Sequence, residues 1–254
     1  MKRANTLIQI PIVLVDIRNA EHRLDAGHIT TELVMQFANR INAGRLLASK
    51  LEIYAARSDV IVLGLPRGGV PVAYEVAHAL NVPLDVFVVR KLGVPGYEEL
   101  AMGAIATGNV RVLSEDLIKE LGIPGQWIDQ VAAREQRELE RREKLYRGAA
   151  PPLNVKGRTV IVVDDGLATG STMRAAVNAL KSLGPDRIVV AAPVAARETC
   201  ESFKADMQST CVCYMSPVPF EGVGKWYRDF SQTTDAEVCA LLQHATENQR
   251  KHVA

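Results

Sequence analysis

The sequence has no excess charge of either sign and no long apolar run. Its 30 Lys and Arg residues stand against 29 Asp and Glu, for a formal net charge of +1. That balance predicts no basic surface for nucleic acid or for an anionic membrane. No apolar run approaches the roughly 20 residues that a membrane-spanning helix needs. We therefore expect a cytoplasmic protein without a nucleic-acid or membrane partner.

Cysteines are few, and their spacing predicts neither a zinc site nor a disulfide framework. The four are Cys200, Cys211, Cys213 and Cys239, without a CxxC pair or zinc-like spacing to histidine. Cys211 and Cys213 alternate as two residues on one face of a strand would. We interpret the cysteines as buried free thiols in a reducing compartment; a metal-binding or redox role is the alternative.

Lysine is absent from the stretch of the chain that contains the acidic pair and the hydroxyl-rich loop. None occurs between residues 160 and 180. A Walker A phosphate loop requires a Gly-Lys-Ser/Thr sequence, so that class is excluded. No GxGxxG sequence follows any predicted strand, which argues against a dinucleotide-binding protein of another family.

Residues 160–173, VIVVDDGLATGSTM, have the order of features that builds a site at the edge of a parallel sheet. The apolar run 160–163 predicts a buried strand, Asp164 and Asp165 follow it, and a helix is predicted from 173 to 183. Unpaired N–H groups at the helix start favour an anion. The carboxylates would repel that anion, so we expect them to face vicinal hydroxyls or Mg²⁺. The implied ligand is a metal-bound sugar phosphate.

This stretch closely resembles the phosphoribosyl-pyrophosphate (PRPP) motif of the type I phosphoribosyltransferases. The motif consists of an apolar run, two acidic residues, a short variable stretch and Thr-Gly-x-Thr. The resemblance implies that Asp164 and Asp165 act in catalysis by holding the ribose hydroxyls, and that they hold Mg²⁺ through water. It also implies a 5-phosphate loop, formed by Ala168, Thr169, Gly170, Ser171 and Thr172.

The implied activity is transfer of ribose 5-phosphate from PRPP to a nitrogenous base or similar small-molecule acceptor, with release of pyrophosphate. A Mg²⁺-dependent transferase of nucleotide salvage, working as a homodimer, is the corresponding expectation. A non-catalytic regulator that senses PRPP or a nucleotide on the same fold is the alternative, since a fold alone does not define an activity.

A second strand-to-helix loop follows the predicted buried strand 59–65. It contains Arg67, Gly68 and Gly69, and a guanidinium group can bind phosphate through two parallel hydrogen bonds. In the family, the loop at this place binds pyrophosphate and often contains a cis peptide bond. The resemblance therefore assigns these three residues to pyrophosphate; a helix-entry turn with a surface arginine is the alternative.

The next strand is predicted over residues 84–89 and ends at Arg90 and Lys91. Residues 92–107 are rich in glycine and lack periodicity, which predicts a mobile loop. In the family, such a loop closes over PRPP and excludes water. Lys91 is either a catalytic contact to pyrophosphate or a solvated strand end.

The late segment 217–229 is rich in glycine and aromatic residues. Purine phosphoribosyltransferases carry a base-stacking aromatic after a similar Val-Gly sequence, so Trp226 and Tyr227 are candidate acceptor-binding residues. Packing of the core is the alternative role for these rings. Ala168 stands where the 6-oxopurine enzymes have an aspartate, which argues against hypoxanthine or guanine as the acceptor.

The whole pattern predicts an α/β protein with a doubly wound, mostly parallel sheet of the type I phosphoribosyltransferase kind. Residues 1–30 are an extension that we do not interpret, and 31–254 are expected to form one domain with a helical insertion at 114–150. Helices are predicted within 32–56 and at 114–121, 126–147, 195–204 and 235–244, and further strands at 187–194 and 210–215.

Overall fold

The computed structural model describes residues 36–205 and 209–253. The predicted N-terminal extension, residues 1–30, lies outside the described part of the chain. Within that part, every helix is too short or too polar to cross a membrane.

The described residues form two sheets. The strands are β1 (Val60–Gly64), β2 (Leu84–Val86), β3 (Val89–Val94), β4 (Tyr97–Ala106), β5 (Val110–Leu113), β6 (Thr159–Val163), β7 (Arg187–Val194) and β8 (Ser209–Met215). The larger sheet is wholly parallel, in the order β2-β1-β6-β7-β8, and the smaller is antiparallel, in the order β3-β4-β5.

Helices cover both faces of the parallel sheet. The helices are α1 (Arg40–Ala48), α2 (Gly69–Leu80), α3 (Glu115–Glu120), α4 (Gly125–Arg147), α5 (Ser171–Lys181), α6 (Arg197–Lys204) and α7 (Asp235–Val253). One apolar cluster joins the sheet to α1 and α2, and another joins it to α5 and α6. Because both faces are covered, β1 and β6 are apolar at nearly every position and buried throughout. The predicted doubly wound fold is confirmed.

The strand order places a crevice between β1 and β6. From β1 the chain winds outward to β2 on one side, and from β6 it winds to β7 and β8 on the other. The loops that leave β1 and β6 therefore diverge to opposite faces of the sheet, and ligands of open α/β sheets bind in such a crevice. Both loops singled out in the sequence begin here, directly after Gly64 and Val163.

The prediction for residues 84–107 is wrong in two respects. The predicted strand 84–89 ends at Val86, and the predicted loop is mainly a hairpin formed by β3 and β4. Leu92 and Met102 are fully buried in this hairpin. They pack in a third apolar cluster that includes Ile128 and Leu139 of α4. The strands are stable because α4 covers one of their faces, a long-range partner that the local sequence does not reveal.

The thin apolar stripe of the long charged helix α4 predicts a helix that either projects or packs along one side only, and the structure shows packing along that stripe. Four anchors to other elements fix its position. These are Asp129 to Arg111 of β5, Glu135 to Arg90 of β3, Tyr146 to Asp235 of α7 and Arg147 to Asp85 of β2. The helix therefore connects the smaller sheet to the edge of the larger one.

Candidate functional site

The acidic pair lies at the carboxyl end of β6, where the strand prediction placed it. Both carboxylates are half-buried, and the backbone N–H of Asp165 donates to Asp164 Oδ1 at 2.9 Å. Burial, together with the charge of Asp165, raises the pKa of Asp164. Burial also raises the pKa of Asp165, although the nearby guanidinium of Arg40 opposes that shift. The pair therefore carries electrostatic strain that a cation or a hydroxyl donor would relieve.

Arg40 at the start of α1 contacts the acidic pair, and the sequence analysis did not identify it as a candidate site residue. Its Nε–H donates to Asp165 Oδ2 at 2.9 Å, and Nη2 lies 2.8 Å from the same oxygen. The sequence offers no local signal for this contact, because 125 residues separate the two partners and Arg40 lies in an ordinary helical pattern.

The predicted phosphate loop is open at the N-terminus of α5. Ala168, Thr169, Ser171 and Thr172 are exposed, whereas Gly170 is buried with a positive φ of 71°. Gly170 at the N-cap has no side chain to cap this helix, and the Thr169 hydroxyl accepts from the Ser171 N–H at a long 3.4 Å. The other N–H groups of the first turn are therefore available to an anion.

Helix α6 forms the support beneath this loop. Thr199 donates through its hydroxyl to the carbonyl of Ala168 at 2.5 Å. A Cβ at Gly170 would lie 2.7 Å from Thr199 Cγ2, and the ring of Phe203 lies close behind. A glycine is therefore required at position 170 for two reasons, the left-handed backbone and the close approach of α6.

The loop after β1 packs directly against the acidic pair. A Cβ at Gly68 would lie 2.0 Å from Asp165 Oδ2, and one at Gly69 would lie 2.9 Å from Asp164 Cα. The peptide bond between Pro66 and Arg67 is cis, a feature that the family resemblance led us to expect. These glycines let the two loops meet across the crevice.

Two further basic residues border this region. Arg67 Nη1 lies 3.8 Å from Asp235 Oδ1 at the start of α7, and that carboxylate also accepts a hydrogen bond from the Tyr146 hydroxyl at 2.6 Å. Lys91 lies in β3 and not at a strand end; its Nζ is 3.5 Å from Ser171 Oγ. The structure thus brings Lys91 to the phosphate loop, while the guanidinium of Arg67 faces Asp235.

The two candidate acceptor-binding aromatics are more enclosed than a stacking role requires. The Tyr227 ring is buried, with the ring of Phe37 at 5.3 Å and that of Phe230 at 4.9 Å. Its hydroxyl donates to the Asp165 carbonyl at 2.6 Å, and burial raises its pKa. Trp226 is half-buried in the same aromatic cluster, and its Nε1–H is buried without a hydrogen-bond partner in the described part of the chain.

The cysteines form no disulfide in the described part of the chain. Cys200 and Cys211 are buried, Cys213 and Cys239 are half-buried, and all four are free thiols. Among the described residues, no group of three or more His, Cys, Asp or Glu side chains could hold a metal ion. Asp164 and Asp165 remain the pair of hard oxygen donors beside the phosphate loop.

The fold and the crevice define the class of the protein: a doubly wound α/β protein with a strand–acidic pair–phosphate loop–helix unit at its switch point. The profile of the phosphoribosyl transferase domain matches residues 32–215, which is most of the chain. The chain therefore belongs to the phosphoribosyl transferase domain family.

Similar proteins agree with this family. A Mycobacterium tuberculosis (strain H37Rv) protein, named provisionally as a phosphoribosyl transferase, is 44% identical over 209 residues, or 82% of this chain and 47% of the relative. The chain thus spans about half the length of the curated relatives it matches. The crystal structure of the protein TT1426 from Thermus thermophilus is 42% identical, covers 83% of this chain and 99% of that one, and superposes with a TM-score of 0.75.

Proposed function

We propose that this protein binds PRPP in the crevice between β1 and β6 and transfers its ribose 5-phosphate group to a nitrogenous base or a similar acceptor. One observation carries the proposal. An acidic pair stands beside an open helix N-terminus, so that hydroxyl acceptors and an anion site are adjacent. A sugar phosphate has both groups in the same relation.

Each loop has a role in this proposal. The exposed loop 168–172 holds the 5-phosphate through backbone N–H groups and hydroxyls, and Asp164 and Asp165 accept hydrogen bonds from the ribose hydroxyls. Arg67, Gly68 and Gly69 hold pyrophosphate, for which Arg67 exchanges its 3.8 Å contact with Asp235 for the ligand. Lys91, already near Ser171, adds positive charge beside the phosphates.

The reaction exchanges one bond at the ribose C1 atom for another. The C1–oxygen bond to pyrophosphate breaks, and its electron pair leaves with pyrophosphate. A nitrogen of the acceptor forms the new bond to C1, and the acceptor releases a proton. Donors on Arg67 and Lys91 would stabilise the charge that grows on the leaving group.

Mg²⁺ fits the chemistry of the acidic pair. Two adjacent carboxylates, whose burial raises the pKa of both, favour a hard cation. Asp164 and Asp165 would hold the ion through water. When bound, Mg²⁺ would neutralise charge on pyrophosphate.

The acceptor is the least determined part of the proposal. Ala168 provides no carboxylate for a 6-oxopurine. Because Tyr227 is enclosed by two rings, Trp226 is the better candidate of the two to border the acceptor. A homodimer in the cytoplasm is the assembly and location that we propose with this activity.

A screen of bases tests the function. The protein is incubated with PRPP, Mg²⁺ and one base at a time, and released pyrophosphate is measured. We expect release above background with at least one base, and loss of that release in the double variant Asp164→Asn, Asp165→Asn. PRPP binding without release from any base would contradict transfer.

The enclosed aromatic cluster supports one alternative, a non-catalytic sensor of PRPP or a nucleotide. Both neighbours of the Tyr227 ring are aromatic side chains of this chain, so a planar acceptor has no stacking position on that ring. A sensor would bind PRPP in calorimetry with an intact acidic pair and release no pyrophosphate with any base.

A further inference from the structure

Arg40 is held on three sides at the crevice. Its Nη1 donates to the carbonyl of Ser231 at 2.6 Å, and its guanidinium carbon lies 4.1 Å from the centroid of the Phe230 ring. Its third contact is with Asp165, whose carboxylate faces two N–H groups of Arg40. The side chain is only 12% exposed. Since a planar guanidinium is fixed by several such contacts, its position is well defined.

Both N–H groups converge on a single carboxylate oxygen. They contact Oδ2 of Asp165, at 2.9 and 2.8 Å, and the close approach of Gly68 is also to Oδ2. Among the described residues, no other residue donates a hydrogen bond to Oδ1. A bidentate arginine–carboxylate pair would occupy both oxygens; here one oxygen is anchored and the other is left for a hydrogen-bond donor.

Another arginine of α1 shows the contrast. Arg45 contacts Glu75 of α2 at 2.8 Å, but the Arg45 side chain is 67% exposed. An arginine exposed to that extent contributes little to stability or to the orientation of its partner. Arg40 is instead enclosed and contacts both Asp165 and residues 230–231.

We propose that Arg40 is a positioning residue, which orients Asp165 so that Oδ1 meets the ribose hydroxyls of the ligand. It acts through Asp165 and does not itself touch the ligand. The inference rests on the proposed function, because it requires a ribose at the acidic pair. It predicts a selective defect: recognition of the sugar depends on Arg40, and recognition of pyrophosphate does not.

Calorimetry with two probes tests this selectivity. Ribose 5-phosphate reports on the sugar side of the site, and inorganic pyrophosphate reports on the other side. The variant Arg40→Lys retains the positive charge but lacks the planar fork of N–H donors. We expect it to lose about tenfold in affinity for ribose 5-phosphate, the value of one hydrogen bond, with pyrophosphate affinity unchanged. The control Arg45→Lys should change neither affinity.

A double-mutant cycle separates positioning from a general structural role. If Arg40 acts through Asp165, adding Arg40→Lys to Asp165→Ala should weaken ribose 5-phosphate binding no further. An additive loss in the double variant would overturn the proposal. Equal losses for ribose 5-phosphate and pyrophosphate, or failure of Arg40→Lys to fold, would make Arg40 structural and would also overturn it.

The wild-type protein distinguishes failure of this inference from failure of the proposed function. If the wild type binds neither PRPP nor ribose 5-phosphate, the proposed function fails and the inference fails with it. If the wild type binds both and Arg40→Lys binds ribose 5-phosphate equally well, the inference alone is wrong.

Discussion

The hydroxyl of Tyr227 donates a hydrogen bond of 2.6 Å to the backbone carbonyl of Asp165. Tyr227 lies in the segment after β8, and Asp165 in the loop after β6, so this bond joins two loops of the crevice. Val223 strengthens the junction, since it packs where a Cβ of Gly166 would lie. The segment after β8 is therefore part of the wall of the crevice.

Removing that hydroxyl should destabilise the protein. Tyr227→Phe leaves a carbonyl unpaired and should lower the free energy of unfolding by about 1–3 kcal/mol. Denaturant unfolding of the two proteins measures the difference. The control is Tyr97→Phe, at a side chain that is 74% exposed, and it should change the free energy of unfolding by less than about 0.5 kcal/mol. Equal effects would mean that the Tyr227 bond contributes nothing.

The acidic pair should determine PRPP binding. Asp164→Asn with Asp165→Asn weakens the acceptors for the ribose hydroxyls, and each charge-assisted hydrogen bond lost should cost about 1.5–3 kcal/mol. Calorimetry should show strongly weakened PRPP binding, while circular dichroism shows an intact fold. The control Asp116→Asn, Asp129→Asn removes the same charge from α3 and α4 and should leave PRPP affinity unchanged. Unchanged affinity in the site variant would remove the basis for the assignment.

Arg67 should distinguish ligands with pyrophosphate from those without it. Arg67→Ala should weaken pyrophosphate and PRPP by about 1.5–3 kcal/mol each, and ribose 5-phosphate by less. Competitive binding assays with the three ligands provide the comparison. Arg57→Ala is a suitable control, because Arg57 pairs with the exposed Asp59 before β1 begins. Equal losses for all three ligands would make Arg67 structural.

Ionisation of Asp164 should oppose folding. Its pKa is raised in the folded state by burial and by Asp165, so the folded protein binds the proton more tightly than the unfolded chain. Stability is therefore lost as pH rises from the unfolded pKa towards the folded one. Asp164→Asn cannot ionise, and its advantage over the wild type should grow between about pH 5 and pH 8. Urea unfolding of both proteins, without ligand or metal at both pH values, measures whether the stability difference grows with pH.

Glu135 should hold the β3–β4 hairpin. It accepts from Arg90 Nε at 2.8 Å and from Arg134 Nε at 3.0 Å, and it is buried. Glu135→Gln should lower the free energy of unfolding by about 1.5–3 kcal/mol and speed hydrogen exchange in the hairpin more than in β6. Glu138→Gln, on the same helix but at a side chain that is 31% exposed, should cost less than about 1 kcal/mol. Uniformly faster exchange would argue against a local role.

The parallel sheet could be predicted from the sequence because each strand carries its own signal. β7 was predicted with its observed bounds, and β1 and β6 to within one residue, since strands buried on both faces are continuous apolar runs. The sequence singles out residues 168–172 as a candidate phosphate loop because they are contiguous and ordered. The local sequence pattern is sufficient to predict these strands and to single out this loop.

The remaining features depend on partners that are distant in sequence. The sequence predicts a loop in place of the hairpin because α4, which covers the hairpin, begins almost 20 residues after β4 ends. In the sequence, Glu135 resembles any other acidic residue of a charged helix. Its contact with Arg90 is visible only in the folded structure. The sequence around Arg40 gives no signal of its contact with Asp165. Groups that share a motif can be recognised in the sequence, whereas groups that meet only in the folded chain cannot.

The close contact between Gly68 and Asp165 has a consequence for how such proteins diverge. Any side chain at position 68 would occupy the place of the Asp165 carboxylate, since its Cβ would lie 2.0 Å from Oδ2. The loop after β1 and the loop after β6 are therefore not independently variable. A lineage that abandons the second acid is free to gain a side chain at position 68, whereas one that keeps the acid inherits the glycine with it.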